Sequence, residues 1–105
     1  MSTETFAGVE LEVDADGHLV DHTKWTEDIA KDIAKSIEIE TLEPKHWDVI
    51  NFMRNEFIEN GASPTIRKIT KKSGVNTKEM YALFPKGPAK KASKIAGLPK
   101  PKGCI

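Results

Sequence analysis

One cysteine, Cys104, is all that this sequence of 105 residues carries, so an internal disulfide framework is excluded. No apolar run approaches the roughly 20 residues needed to cross a bilayer, and Cys104 is followed by one residue where a prenylation box needs three. No membrane attachment is expected. The sequence has no charged-then-apolar leader, which makes the cytoplasm the expected compartment. Also missing are a Ser-His-Asp order, a phosphate-binding glycine loop and a paired-carboxylate pattern. His18 and His22 stand four apart, but in a hairpin and the loop after it, with no cysteine nearby, and His46 falls at the start of a helix. Neither a metal nor any other cofactor is expected.

What is present describes a small folded protein. Hydrophobic residues make up 38%, with two Trp and four Phe, enough for one modest core and too little chain for two. The net charge of zero conceals a division. Residues 1–60 hold 15 acids against 5 bases, whereas residues 61–105 hold one acid, Glu79, against 11 bases. A basic surface could meet nucleic acid, an acidic protein or an anion; alternatively, the two halves neutralise each other across the fold.

Val9, Leu11 and Val13 alternate with Glu10, Glu12 and Asp14, a half-buried strand, and Asp16-Gly17 predicts a tight turn into a return strand at His18-Leu19-Val20. Thr26 caps a helix with Ile29, Ala30, Ile33, Ala34 and Ile37 at helical spacing, and Trp25 before it is placed to pack back on the core. Pro44 opens a central helix whose predicted stripe is Trp47, Ile50, Met53, Phe57 and Ile58. Ser63-Pro64 reads as cap and first residue of the next helix, Asn76 or Thr77 caps a short one ending before Pro85, and Gly87-Pro88 opens a last one, Ala89 to Ala96, stopped at Gly97.

The predicted fold is therefore mainly α (α+β): a bundle of about five helices with an N-terminal hairpin at about residues 6–20. The domain would run over residues 1–96, its helices between about 26 and 96, with a mobile C-terminal arm over residues 97–105. Ser63 to Phe84 has the outline of a helix-turn-helix. A DNA reader of this form would offer Asn76, Thr77, Lys78 and Tyr81 to the major groove while Arg67, Lys68, Lys71 and Lys72 held phosphates. Ordinary helix packing accounts for the same outline.

The arm, Gly97-Leu98-Pro99-Lys100-Pro101-Lys102-Gly103-Cys104-Ile105, resists helix formation and favours extended conformations. Fully extended from Gly97 it would carry Cys104 about 23 to 25 Å. Lys100 and Lys102 would lower the thiol's pKa and a nearby terminal carboxylate would raise it, so strong activation of the free arm is not expected.

The run Leu83-Phe84-Pro85-Lys86-Gly87-Pro88-Ala89-Lys90, then Ile95-Ala96-Gly97-Leu98-Pro99-Lys100-Pro101 and Gly103-Cys104-Ile105, closely resembles the C-terminus of the DsrC/TusE family of sulfur carriers. Asp16-Gly17 with Leu19, Trp25, His46-Trp47 and Ser63-Pro64 with Arg67 extend the likeness over nearly the whole chain. The resemblance implies a small helical domain whose penultimate cysteine, here Cys104, carries sulfur as a persulfide. In the TusE branch the donor is a relay complex of TusBCD type and the acceptor a tRNA uridine thiouridylase acting with tRNA. In the DsrC branch the arm enters dissimilatory sulfite reductase, and a second arm cysteine stands eleven residues upstream.

This sequence has Ser93 at that position. A hydroxyl cannot form a disulfide, so two-electron cycling within the chain is excluded and one-thiol relay remains. The TusE-like role is favoured, with the sulfite-reductase role and a DNA-binding regulator as alternatives. Arg67, Lys90, Lys94, Lys100 and Lys102 are candidates for stabilising an anionic persulfide or steering docking onto acidic partners; a solvated basic face is the plain alternative.

Overall fold

The computed structural model describes residues 2–101, and the elements follow the order of a hairpin and five helices. Strand β1 (Ser2–Phe6) pairs antiparallel with β2 (Val9–Val13), in the register Ser2↔Val13 through Phe6↔Val9. The hairpin thus turns at Ala7-Gly8, earlier than expected. Both turn residues have positive φ, 52° and 77°, the conformation whose twist matches that of the flanking strands. Strand β1 escaped the periodicity reading because only Phe6 in it is buried, which leaves no alternation to see. Asp16-Gly17 does form a turn, closed by Gly17 N–H to Asp14 O (3.0 Å) and by the Asp14 carboxylate accepting from Asp16 and His18 N–H. Beyond it the predicted return strand amounts to a single bridge, Val13↔Leu19.

Helix α1 (Glu27–Ser36) begins where Thr26 accepts from Ile29 N–H, and buries Ile29, Ala30, Ile33 and Ala34. Helix α2 (Pro44–Asn60) has Pro44 in its first turn and buries Val49, Ile50 and Met53, with Trp47, Phe52 and Phe57 partly covered. Ile58, predicted to join this stripe, is 65% exposed. The imidazole of His46 ties two elements together. Its bare Nδ1 accepts from Glu43 N–H (2.9 Å), so the ring proton is on Nε2, which donates to Leu83 O (2.9 Å).

Helix α3 (Ile66–Lys72) is capped by Thr65, not by Ser63 as expected. The Ser63 hydroxyl is engaged elsewhere. Helix α4 (Thr77–Leu83) starts from a reciprocal box in which Asn76 and Glu79 satisfy each other's backbone N–H. Helix α5 (Pro88–Ile95) packs against α1, α2 and α4. It ends in a Schellman motif: Leu98 N–H reaches back to Ser93 O (2.9 Å), Gly97 N–H to Lys94 O (3.1 Å), and Gly97 takes a left-handed φ of 72°.

Gly97 is required twice over. Besides its positive φ, a Cβ there would lie 2.5 Å from Cδ1 of Trp25, inside any allowed contact. Gly97→Ala is expected to cost about 2 kcal/mol or more in urea unfolding, from backbone strain plus displacement of the indole. A loss within error of zero would refute this account of the α5 terminus.

Candidate functional site: the root of the Cys104 arm

Ile95, Ala96, Gly97 and Leu98 are all buried, so the carbonyls at the end of α5 are turned away from water. Buried carbonyls need donors, and four side chains from four separate places in the chain supply them. Trp25 Nε1–H donates to Ile95 O (2.8 Å), and Arg54 Nη1–H to Ala96 O (2.8 Å). His18 donates to Leu98 O (2.8 Å) and Ser63 Oγ–H to Pro99 O (2.5 Å). Lys100 then closes an ion pair with Asp16 (3.2 Å). The expected arm therefore does not leave the domain at Gly97. Chain through Pro101 lies along this clasp, with Leu98 and Pro101 buried.

Arg54 is the central cation of the clasp. Its guanidinium lies 4.1 Å from the centroid of the Trp25 ring, and Nη2 also reaches His22 O (3.3 Å). Two carbonyls and a π face, together with the negative end of α5, surround the charge. Burial lowers its pKa, yet a guanidinium stays charged in proteins. His18 is fully buried. Because Leu98 O can only accept, Nδ1 must carry the proton, which leaves Nε2 buried without a partner. Burial pushes the His18 pKa down, the Leu98 carbonyl and Asp14 oppose this, and Lys94 adds to it.

The residues singled out in the sequence divide three ways. Lys90, Lys94 and Lys100 converge on the Asp14–His18 turn. The Lys100 ion pair, with a smaller contribution from Lys90, holds the Asp16 carboxyl below its usual range, and the Lys94 ammonium packs close over Gly17. Arg67 is exposed on α3 and makes none of these contacts. Cys104 and Lys102 lie outside the described residues. Of the helix-turn-helix set, Lys68 is tied to Glu56 (2.8 Å) and the Asn76 amide is engaged in its cap. The ion pairs Lys68–Glu56 and Lys100–Asp16 each set a base of the basic half against an acid of the acidic half, so part of the charge division is neutralised internally, whereas Lys45–Glu79 pairs the minority charges of the two halves. Among the described residues no helix is long and apolar enough to cross a membrane.

Trp25, Arg54, His18 and Ser63 were not recognised as a set from sequence. Arg54 offered one signal: it is one of five bases in the acidic half and falls inside the central helix.

His18 makes stability depend on pH with a definite sign. The unfolded chain takes up a proton near pH 6.5, whereas the folded one does so only at lower pH, so stability is at its full value above about pH 6.5 and declines as pH falls below it. The urea midpoint is expected to drop between about pH 6.5 and 5 in the wild-type chain, with a shallower slope in His18→Asn. Equal slopes in the two proteins would rule His18 out as the cause.

The family model described as "DsrC like protein" matches residues 5–105. Sulfurtransferase TusE of Escherichia coli strain K12 is 46% identical over 107 aligned residues, covering 95% of this chain and 97% of that protein. The TusE sulfurtransferase of Photorhabdus laumondii is 50% identical, covering 95% and 96%. Among solved structures, dissimilatory sulfite reductase I (DsrI) superposes with a TM-score of 0.86 at 39% identity, over 99% of this chain and 100% of that one. Allochromatium vinosum DsrC gives 0.84 at 39% identity, over 98% and 97%. With a family match over almost its whole length, relatives at 46–50% identity aligned over nearly all of both chains, and the same fold, the chain belongs to the DsrC-like family.

Proposed function

We propose that this protein is a sulfur relay carrier that accepts sulfane sulfur on Cys104 and passes it on, in the manner of the TusE sulfurtransferases it resembles. The observation that carries the reading is a four-point clasp built around the base of a peptide whose only thiol lies three residues beyond Pro101. The relay is a pair of exchanges with no net redox change. The Cys104 thiolate attacks the outer sulfur of a donor persulfide, forming a Cys104 persulfide and releasing the donor thiol. An acceptor thiolate then attacks the outer sulfur of Cys104, and the Cys104 thiolate departs.

Ser93 supports relay over internal cycling. Its side chain is buried, with Oγ donating to Lys90 O (2.8 Å), and there is no second cysteine to resolve the persulfide within the chain. The second thiol must come from a partner, so the protein is a carrier and not a self-contained catalyst. The partners proposed are a donor complex of TusBCD type and a tRNA uridine thiouridylase, in a reducing compartment such as the cytoplasm that keeps a lone thiol free. Lys90, Lys94 and Lys100 around the arm root, with Lys102 beyond it, would favour an anionic persulfide and acidic docking surfaces.

Incubated with a cysteine desulfurase, cysteine and relay proteins, the intact protein is expected to gain the mass of about one sulfur atom, and Cys104→Ser none. No gain with any donor, or an equal gain in Cys104→Ser, would refute the reading.

A further inference from the structure

We propose that the outer edge of β2 is a docking site for an extended segment of a partner protein, one in which lysine or arginine alternates with aliphatic residues. The sheet has a place for a third strand and does not fill it. Val20 N–H donates to Glu12 O (3.0 Å) and Asp14 N–H to His18 O (2.9 Å), so residues 18–20 begin that strand alongside β2. It stops after Val20. The Asp21 carboxylate accepts from the backbone N–H and the hydroxyl of Thr23 (3.0 and 2.6 Å), which starts the single helical turn His22–Lys24 and carries the chain away from the edge.

Open backbone is left behind. Successive residues of an antiparallel strand aim their N–H and C=O to opposite sides. Val9, opposite Phe6, closes the two-residue turn with β1, and Leu11 and Val13 share its direction. Glu12 and Asp14 aim outward, as their bonds to residues 18–20 require, and Glu10 aims with them. Glu10 N–H, Glu10 O and Glu12 N–H have no hydrogen-bond partner among the described residues. Beside them lies a groove of about 270 Å³, with Leu11 and Leu19 as its buried lining and Glu12, Val20, Asp21 and Lys24 as its exposed rim.

The two faces of the strand specify the occupant. Residues paired across a sheet project to the same face, so an incoming residue opposite Glu10 or Glu12 stands beside a carboxylate. The residue between them, opposite Leu11, turns to the apolar side, where Val9 is 44% exposed. Glu10, Glu12 and Asp21 outnumber Lys24, which leaves this edge negative. Charged side chains on an edge keep unwanted strands off, and these exclude acidic segments while admitting a basic one. In strand addition the main-chain bonds supply affinity and the alternating side chains supply selectivity. Since β2 runs directly into the Asp14–His18 turn, which meets Leu98 and Lys100, a partner seated here lies next to the arm root. The inference stands whether or not Cys104 carries sulfur.

The probe is the end-blocked pentapeptide Val-Lys-Val-Lys-Val, with Val-Asp-Val-Asp-Val as its counterpart, each added to the full chain at about 5 mM. Water–amide exchange by NMR at Glu10 and Glu12 is expected to slow about fivefold with the lysine peptide, the factor that applies when four-fifths of the molecules are occupied. Phe84, bonded to Met80 O, keeps its rate. The aspartate peptide is expected to change neither Glu10 nor Glu12. Both side chains are exposed, so the double variant Glu10→Lys/Glu12→Lys is expected to fold and to reverse the preference; the wild-type contrast decides alone if it does not fold. No slowing with the lysine peptide, equal slowing with both, or a folded variant that keeps the wild-type preference would overturn the proposal. So would protection of the two amides that grows with protein concentration in the absence of peptide, with a doubled mass in sedimentation, because a second copy would then fill the edge.

Discussion

The physical constraint on which the structure turns is that α5 ends inside the protein. A helix leaves its last carbonyls without intrahelical partners, and at a surface terminus water satisfies them. Here the terminus and the residue after it are buried, so donors must be delivered by side chains. Trp25 from before α1, Arg54 from α2, His18 from beyond the hairpin and Ser63 from the α2–α3 link all meet that demand. The packing of the whole domain is thereby tied to a run of five residues, 95–99, and the same run is the root of the peptide carrying Cys104.

This arrangement explains why an arginine with no carboxylate partner among the described residues is stable inside α2. A buried ion pair would bring the desolvation cost of two charges. Arg54 brings one, spread over a planar guanidinium, and meets it with carbonyl dipoles and the face of Trp25. It explains His18 as well. A carbonyl deep in the fold needs a donor, a neutral imidazole supplies one, and the cost is a second ring nitrogen without a partner.

Much of the fold was legible because it rests on local signals. Thr26 and Asn76 cap the helices they were expected to cap, Pro44 and Pro88 stand in first turns, and Gly97 ends α5 in the left-handed conformation. The misses share one cause, competition from distant residues. Ser63 before a proline has the local form of a helix cap, but Pro99 O claims its hydroxyl and Thr65 takes the cap. Strand β1 shows no alternation because only its last residue meets the core, so its pairing with β2 could not be seen from either strand alone. Ile58 keeps helical spacing with the buried stripe yet is exposed, while its neighbour Phe57 is the residue that packs against the core and against His22.

By itself the sequence determined the kind of chemistry open to this protein. One thiol excludes an internal disulfide, Ser93 cannot substitute for a second sulfur, and the proline-bracketed tail cannot continue a helix; these follow from which atoms are present, whatever the fold. How Gly97 to Pro101 is held was decided only by tertiary structure. Gly97 to Pro101 has the composition of free chain, and it is bound because His18 and Ser63, 80 and 36 positions away along the sequence from the residues they hold, are brought to the carbonyls of Leu98 and Pro99. Hydrogen bonds between residues so far apart leave no periodicity and no local motif, since each donor is ordinary in its own neighbourhood and acquires its role only when the core closes.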